Sequence, residues 1–443
     1  MISLGLFDFI VAPLYILFIF FIALLIKNKY IKTNSTYTYF IPGLLAKIVG
    51  GIAVCLIYIY YYKGGDTINY YITSNSFSNL LSVNPRNFLN VWLGFVKNYQ
   101  LIYYFNNDVG FPAFSPYDNY ALFVVRLIVP LYFISFGSYI TMTILLASIC
   151  YTGIWKLYQV FCMEFPQIQK ELAIAILFVP SVVFWGSGLL KDTVTLAAAG
   201  WFTYSFYHLF ILRKKRILNT ITIVLSSFLL LSIKPYILLA LIPGSFIWFF
   251  TKQSKEIKSP ILKFISLPLF LTVALLSAYL IIGQLQLGSY SIENALEKAV
   301  ISQQDLKRDA YKGNSFDIGN FDASIGGIII KAPLAINAAL YRPYIWETRN
   351  VVMFLSGIEN SLILFLSIYL LIRLKVINFF RLIGKHPLLL FSFLFAIFFA
   401  FSVGISISNF GSLVRLKIPA IPFFVASLFI INHFYKIKKE ALL

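Results

Sequence analysis

The stretch FDFIVAPLYILFIFFIALLI (residues 7–26) decides the fold class, because it is almost wholly apolar. A helix of about 20 apolar residues crosses the hydrocarbon core of a bilayer. No Lys or Arg precedes the stretch, whereas Lys27, Lys29 and Lys32 follow it, which reverses the charge pattern of a cleavable signal peptide. It is therefore predicted to be a retained first membrane span with its N-terminus outside.

The composition extends this interpretation to the whole chain. The 443 residues are 60% hydrophobic and only 12% charged, and they include 45 Phe and 29 Tyr, which no water-soluble domain of this length would tolerate. The long apolar runs lack the period-2 alternation of a β-barrel. Helices must therefore satisfy the hydrogen bonds of the backbone. We expect an all-α, polytopic transmembrane helical bundle with residues 1–443 as one transmembrane domain.

The net charge of +19 would suggest a nucleic-acid partner in a soluble chain. Here the Lys and Arg residues lie in short clusters between apolar runs, so membrane topology explains them and no nucleic acid is predicted. Cys55, Cys150 and Cys162 have no paired spacing, which argues against a structural disulfide. The three histidines are scattered, so no metal site is predicted.

Eleven apolar runs are long enough to cross the membrane as helices. They lie at 7–27, 44–62, 137–161, 172–190, 192–212, 217–233, 235–251, 261–283, 350–372, 387–408 and 417–435.

A twelfth run, 120–135, carries Arg126 and Pro130 and is ambiguous. If it does not cross, the strongly basic connections all fall on one side, which the positive-inside rule makes the cytoplasm. It is therefore predicted to be a re-entrant or interfacial helix, and the C-terminus to be cytoplasmic. The expected location is a bacterial cytoplasmic (inner) membrane.

This topology places two long loops, 63–119 and 284–349, on the extracytoplasmic face. The first loop has apolar residues at helical spacing with few charges, which predicts interfacial helices. The second is interpreted as a lid that contains short helices such as 290–307.

Charged and aromatic residues beside turns gather on the predicted outer face. They are Asp66 in KGGD, Lys191 and Asp192 in GSGLLKDTVTL, Lys234 and Tyr236 in SIKPYIL, Arg342, Trp346 and Glu347 in LYRPYIWETRN, and Arg415 at the entry to the last span. Each is individually explained as an interfacial anchor or a solvated turn residue. Together they place carboxylates opposite cations, an arrangement that suits an anionic substrate and acid–base chemistry.

Two of these segments suggest specific contacts. Arg342 has the geometry to bind a phosphate or carboxylate through two hydrogen bonds, and Trp346 offers a flat face for a sugar ring. Glu359 lies further into the same span, where a lipid-facing carboxylate is costly. We expect it to face the bundle interior and to pair with a cation.

An Asp at the start of a long outer loop, a bundle of about eleven helices and a late R-x-K-x-P-x-x-P resemble the GT-C superfamily of membrane glycosyltransferases. The resemblance implies a polyprenyl-phosphate-linked sugar donor, a glycan, lipid or protein acceptor, surrounding membrane lipids, and inversion at the sugar. It also implies that Asp66 is the general base and that Lys191, Lys234, Arg342 or Arg415 binds the donor phosphate. Family members often carry a pair of acidic residues, whereas Asp66 stands alone. No cofactor is predicted, and the lone carboxylate leaves a metal requirement open.

Three alternatives remain at the level of sequence. An O-antigen or capsule polymerase of the Wzy/EpsG kind would rely on arginines more than on a carboxylate base. A transporter or flippase for an anionic lipid or solute would place charges near the midplane and show an internal repeat, neither of which is evident apart from Glu359. The third alternative is a non-catalytic membrane scaffold.

Overall fold

A computed structural model of the protein describes residues 4–253, 272, 315–319 and 325–440. Within these residues the regular structure is helical, apart from an isolated antiparallel bridge between Ser315 and Asn409. The prediction of an all-α protein is confirmed for this part of the chain. The predicted span 261–283 and the predicted helix 290–307 lie outside the described residues, apart from Thr272.

The α-helices are numbered here in chain order. They are α1 (Leu6–Tyr30), α2 (Phe40–Leu56), α3 (Asp66–Val83), α4 (Pro85–Trp92), α5 (Asn119–Ile134), α6 (Tyr139–Glu164), α7 (Gln169–Leu177), α8 (Pro180–Trp185), α9 (Lys191–Phe206), α10 (Arg216–Ile233), α11 (Pro235–Gln253), α12 (Ile325–Tyr341), α13 (Val351–Leu374), α14 (Val376–Lys385), α15 (Pro387–Ser406), α16 (Phe410–Leu416) and α17 (Ile421–Glu440). Short π-helical turns follow α2 and α9 at Ile57–Tyr61 and Tyr207–Ile211.

Seven helices of the described residues are long and apolar enough to cross a membrane. They are Leu6–Tyr30, Ser35–Tyr61, Tyr139–Glu164, Arg216–Ile233, Pro235–Gln253, Val351–Leu374 and Pro387–Ser406. Helices α16 and α17, bent by 67° at their junction, make an eighth if they are counted as one broken span. By the length and composition of these helices, the protein is an integral, multi-pass membrane protein.

The apolar run predicted at 172–190 is divided in the structure. It forms α7 and the short helix α8, and α9 begins only at Lys191. Pro180 contributes to the division, because proline lacks an amide N–H and disfavours helical geometry in the residue before it. The run therefore ends in a non-helical turn that leads directly to the Lys191-Asp192 pair.

The chain forms two compact units, and each is described separately. Unit 1 comprises Met1–Gln159, Val182–Phe202 and Thr222–Pro235. In unit 1, α9 packs tightly on α6, since a Cβ added at Gly153 would lie only 2.2 Å from the carbonyl oxygen of Ala197. Any side chain at Gly153 would push α9 away from α6.

Helix α5 of unit 1 explains why a charged residue is tolerated in the run 120–135. The Arg126 guanidinium donates to the Val91 carbonyl oxygen at 3.0 Å and to Asn98 Oδ1 at 2.7 Å. Trp92 Nε1 donates to the Arg126 carbonyl oxygen at 2.8 Å. The guanidinium is thus hydrogen-bonded by polar groups of the first loop, which contains helices α3 and α4.

Unit 2 comprises Val160–Ser181, Thr203–Ile221 and Tyr236–Leu443. Its core contains phenylalanines of α15 and α17, whose rings approach to 4.7 Å at Phe395 and Phe423. Helix α12 packs along α15, where Ala335 lies against Gly404. Helix α12 is not predicted from the sequence, because it lies within the segment interpreted as a lid loop.

Candidate functional site

Lys191, the first residue of α9, forms an ion pair with Asp118 in unit 1. Its Nζ lies 3.2 Å from both carboxylate oxygens of Asp118. Asp118 immediately precedes α5, and its Oδ1 also accepts a hydrogen bond of 2.8 Å from the Ala121 amide, which caps the helix. The side chains of Lys191 and Asp118 are 22% and 36% exposed, so solvent reaches this pair.

The next residue, Asp192, pairs with Lys234 in the same unit. Both side chains are buried, at 1% and 7% exposure, and Lys234 Nζ contacts Asp192 Oδ1. Removing either charge would leave the other uncompensated in a medium of low dielectric constant. The two consecutive residues of the turn therefore have different partners and very different access to solvent.

The turn before Lys191 is held by polar contacts to its backbone. Lys47, buried within α2, donates from Nζ to the Gly186 carbonyl oxygen at 2.5 Å. Thr193 Oγ1 donates to the Gly188 carbonyl oxygen at 2.6 Å. Because the turn is non-helical, the Gly186 carbonyl oxygen lacks the amide partner that a continuous helix would supply, since the Leu190 amide donates to the Gly188 carbonyl oxygen instead, at 2.9 Å. The contacts fix the start of α9, and with it the positions of the two ion-paired residues.

Asp66, the proposed base, is the first residue of α3 in unit 1 and is half-buried. Gly65 before it has φ +104°, and a Cβ there would lie 2.9 Å from the Tyr58 ring, so the turn requires glycine. The carboxylate thus stands at the positive end of the α3 helix dipole.

Ring packing connects the segment of Asp66 with that of Asp118. One helical turn after Asp66, the Tyr70 ring packs on Phe114 with centroids 4.6 Å apart. Asp118 follows Phe114 by four residues, and burial together with the charge of Asp118 raises the pKa of nearby Tyr120 above its ordinary value. The phenol of Tyr120 is therefore a neutral hydrogen-bond donor at pH 7.

The remaining predicted site residues lie in unit 2. Arg342 forms an ion pair with Glu347. Its Nε lies 3.0 and 3.1 Å from the two carboxylate oxygens, and its Nη2 contacts Oε1. Its guanidinium also lies over the rings of Phe316 and Phe410, at 4.8 and 5.4 Å. The bidentate capacity predicted for an external anion is used by Glu347 in this structure.

Aromatic residues of this unit have mixed exposure. Trp346 is 78% exposed and stacks on Tyr344 at 4.8 Å, which leaves a flat ring face open. Tyr236 stacks on Phe399 at 5.8 Å. Arg415 occupies the last turn of α16.

Glu359 is buried in α13, and its interior position is confirmed. Its carboxylate accepts hydrogen bonds from the amide and the hydroxyl of Ser181, at 2.7 and 2.6 Å, rather than from a cation. The buried cation nearby, Lys417, donates to Asn360 Oδ1 at 2.6 Å. Lys417 interacts with Glu359 electrostatically, so a buried cation lies near the carboxylate as predicted, although the direct hydrogen bonds come from Ser181.

Asp118 is a candidate site residue that the sequence did not single out. The segment SPYDN has the composition of an ordinary turn followed by a helix cap, and only its contact with Lys191 distinguishes it. No group of three or more His, Cys, Asp or Glu residues that could hold a metal ion occurs among the described residues. A search of family models, of curated proteins and of solved structures finds no match to this chain.

Proposed function

We propose that the protein is a membrane glycosyltransferase that moves a sugar from a polyprenyl-phosphate donor to a glycan, lipid or protein acceptor. The half-exposed Asp118–Lys191 pair beside the buried Asp192–Lys234 pair supports this proposal most strongly. Lys191 is a cation that a ligand can contact, and the buried Asp192–Lys234 pair holds the turn that carries it in place. The predicted topology puts this turn at the extracytoplasmic face.

The reaction requires a base and a cation. Asp66 takes the proton of the acceptor hydroxyl, whose oxygen then forms a bond to the anomeric carbon of the sugar. The bond from that carbon to the phosphate oxygen breaks, and its electron pair leaves with the polyprenyl phosphate. Lys191 stabilises the negative charge that develops on the leaving phosphate.

Asp118 acts as the resting partner of Lys191. The polyprenyl phosphate that forms during transfer carries more negative charge than a single carboxylate, so it displaces Asp118 from the exposed ammonium group as the bond to the sugar breaks. Asp118 is also an acidic residue of the first predicted outer loop, as Asp66 is. It supplies the second carboxylate whose absence set the sequence apart from the glycosyltransferase pattern.

Substitution of Asp66 tests the proposal. Purified protein in vesicles is supplied with a polyprenyl-phosphate sugar and a membrane extract as acceptor, and released polyprenyl phosphate is measured. We expect Asp66→Asn to lower the rate about 10²–10⁴-fold, the usual contribution of a general base. Asp108→Asn, in an exposed position of the same loop, should leave the rate unchanged. Transfer retained by Asp66→Asn would contradict the base role.

A transporter is the second candidate, and one observation favours it. Glu359 is buried in α13, and Lys417 is buried in the turn between α16 and α17. Ionisable groups inside a membrane bundle often mark ion or substrate paths. Vesicle uptake of an anionic substrate without sugar transfer, lost in Glu359→Gln, would support this function and contradict the glycosyltransferase.

A further inference from the structure

A cavity of about 320 Å³ opens in unit 2, and none of the residues used in the proposed reaction lines it. Its volume falls at the lower end of the range of small-molecule sites, about 300–1,000 Å³. It forms where α6 ends, α15 begins and α17 approaches its end. It is lined by Glu164, Phe165, Gln167, His386, Pro387, Leu388, His433, Phe434 and Ile437.

One side of the cavity is a rigid aromatic wall. The His386 imidazole stacks on the Phe434 ring, with centroids 4.2 Å apart and planes inclined by 19°. The Phe165 ring meets Phe434 edge-on at 6.1 Å. Because these rings pack on one another, the wall is preformed and presents apolar surface to whatever enters.

The other side carries polar groups with unused hydrogen-bonding capacity. Glu164 Oε1 accepts from Tyr207 at 2.8 Å and from Lys252 at 3.4 Å, whereas its Oε2 accepts from no residue that the structure describes. The side chains of Gln167 and His433 likewise make no hydrogen bond to any of the described residues. A carboxylate oxygen, an amide and an imidazole are thus available together.

The cavity lies at the ends of two candidate membrane spans, which is the level expected for lipid headgroups. Glu164 is the last residue of one candidate span and Pro387 is the first residue of another. The last turn of α17 carries Lys438 and Lys439, and Ile437 on the rim is 47% exposed. The cavity therefore opens at a membrane surface, which the positive-inside rule makes the cytoplasmic one.

We propose that this cavity binds the phosphoethanolamine headgroup of an aminophospholipid. The ammonium group donates hydrogen bonds to Glu164 Oε2, and Lys252, 42% exposed beside Glu164, meets the phosphate. The apolar rim at Ile437, which is 47% exposed, takes the start of the acyl chains. A zwitterion fits because the site offers one open carboxylate oxygen next to a cation, and choline lipids, whose nitrogen carries no N–H, lack the required donor.

Competitive lipid retention tests the proposal. The full chain is reconstituted in vesicles with equal amounts of phosphatidylethanolamine and phosphatidylcholine, extracted in mild detergent, and its bound lipids are counted by native mass spectrometry. We expect about tenfold enrichment of the ethanolamine lipid, the factor that corresponds to 1.4 kcal/mol. Equal retention of the two lipids would overturn the proposal.

Variants distinguish the site from general lipid effects. Glu164→Gln keeps an oxygen for Tyr207 but loses the charge, and it should abolish the enrichment. His433→Leu, which removes no hydrogen bond to the described residues, should reduce it. Glu440→Gln, an exposed carboxylate in the same helix, should preserve it. Enrichment that survives Glu164→Gln would contradict the assignment.

A soluble headgroup compound distinguishes an intact lipid from free phosphoethanolamine as the ligand of the cavity. Lipid-free protein in detergent is heated with O-phosphoethanolamine or with the ethanolamine lipid at equal molar concentration. The lipid alone should raise the unfolding temperature, because the apolar rim contributes to binding. An equal rise with the soluble compound would overturn the lipid as the source.

Discussion

The two ion pairs formed by the consecutive residues Lys191 and Asp192 differ in their exposure to solvent. Lys191 meets Asp118 where solvent reaches both side chains, whereas Asp192 meets Lys234 where almost none does. Exposed pairs contribute little to stability and exchange partners readily, while a buried pair cannot lose one member without a large cost. The first pair is therefore suited to binding a ligand, and the second to holding the turn.

The largest expected effect comes from breaking the buried pair. Asp192→Ala leaves the Lys234 ammonium uncompensated inside unit 1, and we expect the free energy of unfolding to fall by about 3–5 kcal/mol. Denaturant unfolding in mixed micelles measures the change. Asp192→Leu combined with Lys234→Met removes both charges and should recover most of the loss. Asp192→Ala with unchanged stability would mean that the two pairs do not differ.

An intermediate loss of stability is expected from a substitution where α9 packs against α6. Gly153→Ala forces a methyl group against the Ala197 backbone and shifts the helix that carries both ion-paired residues. Overpacking of this kind costs about 1–3 kcal/mol. The matched control is Gly384→Ala in α14, where a Cβ meets nothing within 4 Å. Equal unfolding midpoints for the two variants would show that the contact does not hold α9 in place.

The smallest effect is expected at the exposed pair. Asp118→Asn removes the charge that Lys191 contacts but keeps an oxygen to cap α5, so stability should change by no more than about 1 kcal/mol. Asp118→Ala also loses the cap and should cost about 1 kcal/mol more. The same unfolding measurement separates the two contributions. A large loss for Asp118→Asn would assign this pair a structural role.

The sequence was sufficient for features that depend on one run of residues. Helical architecture and the interior position of Glu359 followed from apolar runs, since a lipid-facing charge is costly. The Lys191-Asp192 turn was conspicuous because charges interrupt an apolar stretch. Lys234 was grouped with them because both turns fell on the same predicted face.

Features that depend on tertiary contacts could not be predicted from single runs of sequence. The sequence around Asp118 is that of an ordinary turn, and only the contact with Lys191 in the folded chain distinguishes it. The division of 172–190 depends partly on Lys47, which is distant in the chain but satisfies the Gly186 carbonyl group. Helix α12 contains Pro333 in its interior and a Gly-Gly pair near its start, and both weaken helix propensity. Packing of α12 on α15 overrides that local preference.

Binding of polyprenyl phosphate, the expected leaving group, tests the central claim that Lys191 is the exchangeable cation. Equilibrium binding to the protein in vesicles is compared for three chains: unchanged, Lys191→Met and Asp118→Asn. We expect Lys191→Met to weaken binding about tenfold, or 1.4 kcal/mol. Asp118→Asn should tighten binding, because the competing carboxylate is gone. Lys191→Met with unchanged affinity, or Asp118→Asn with weakened affinity, would contradict the account.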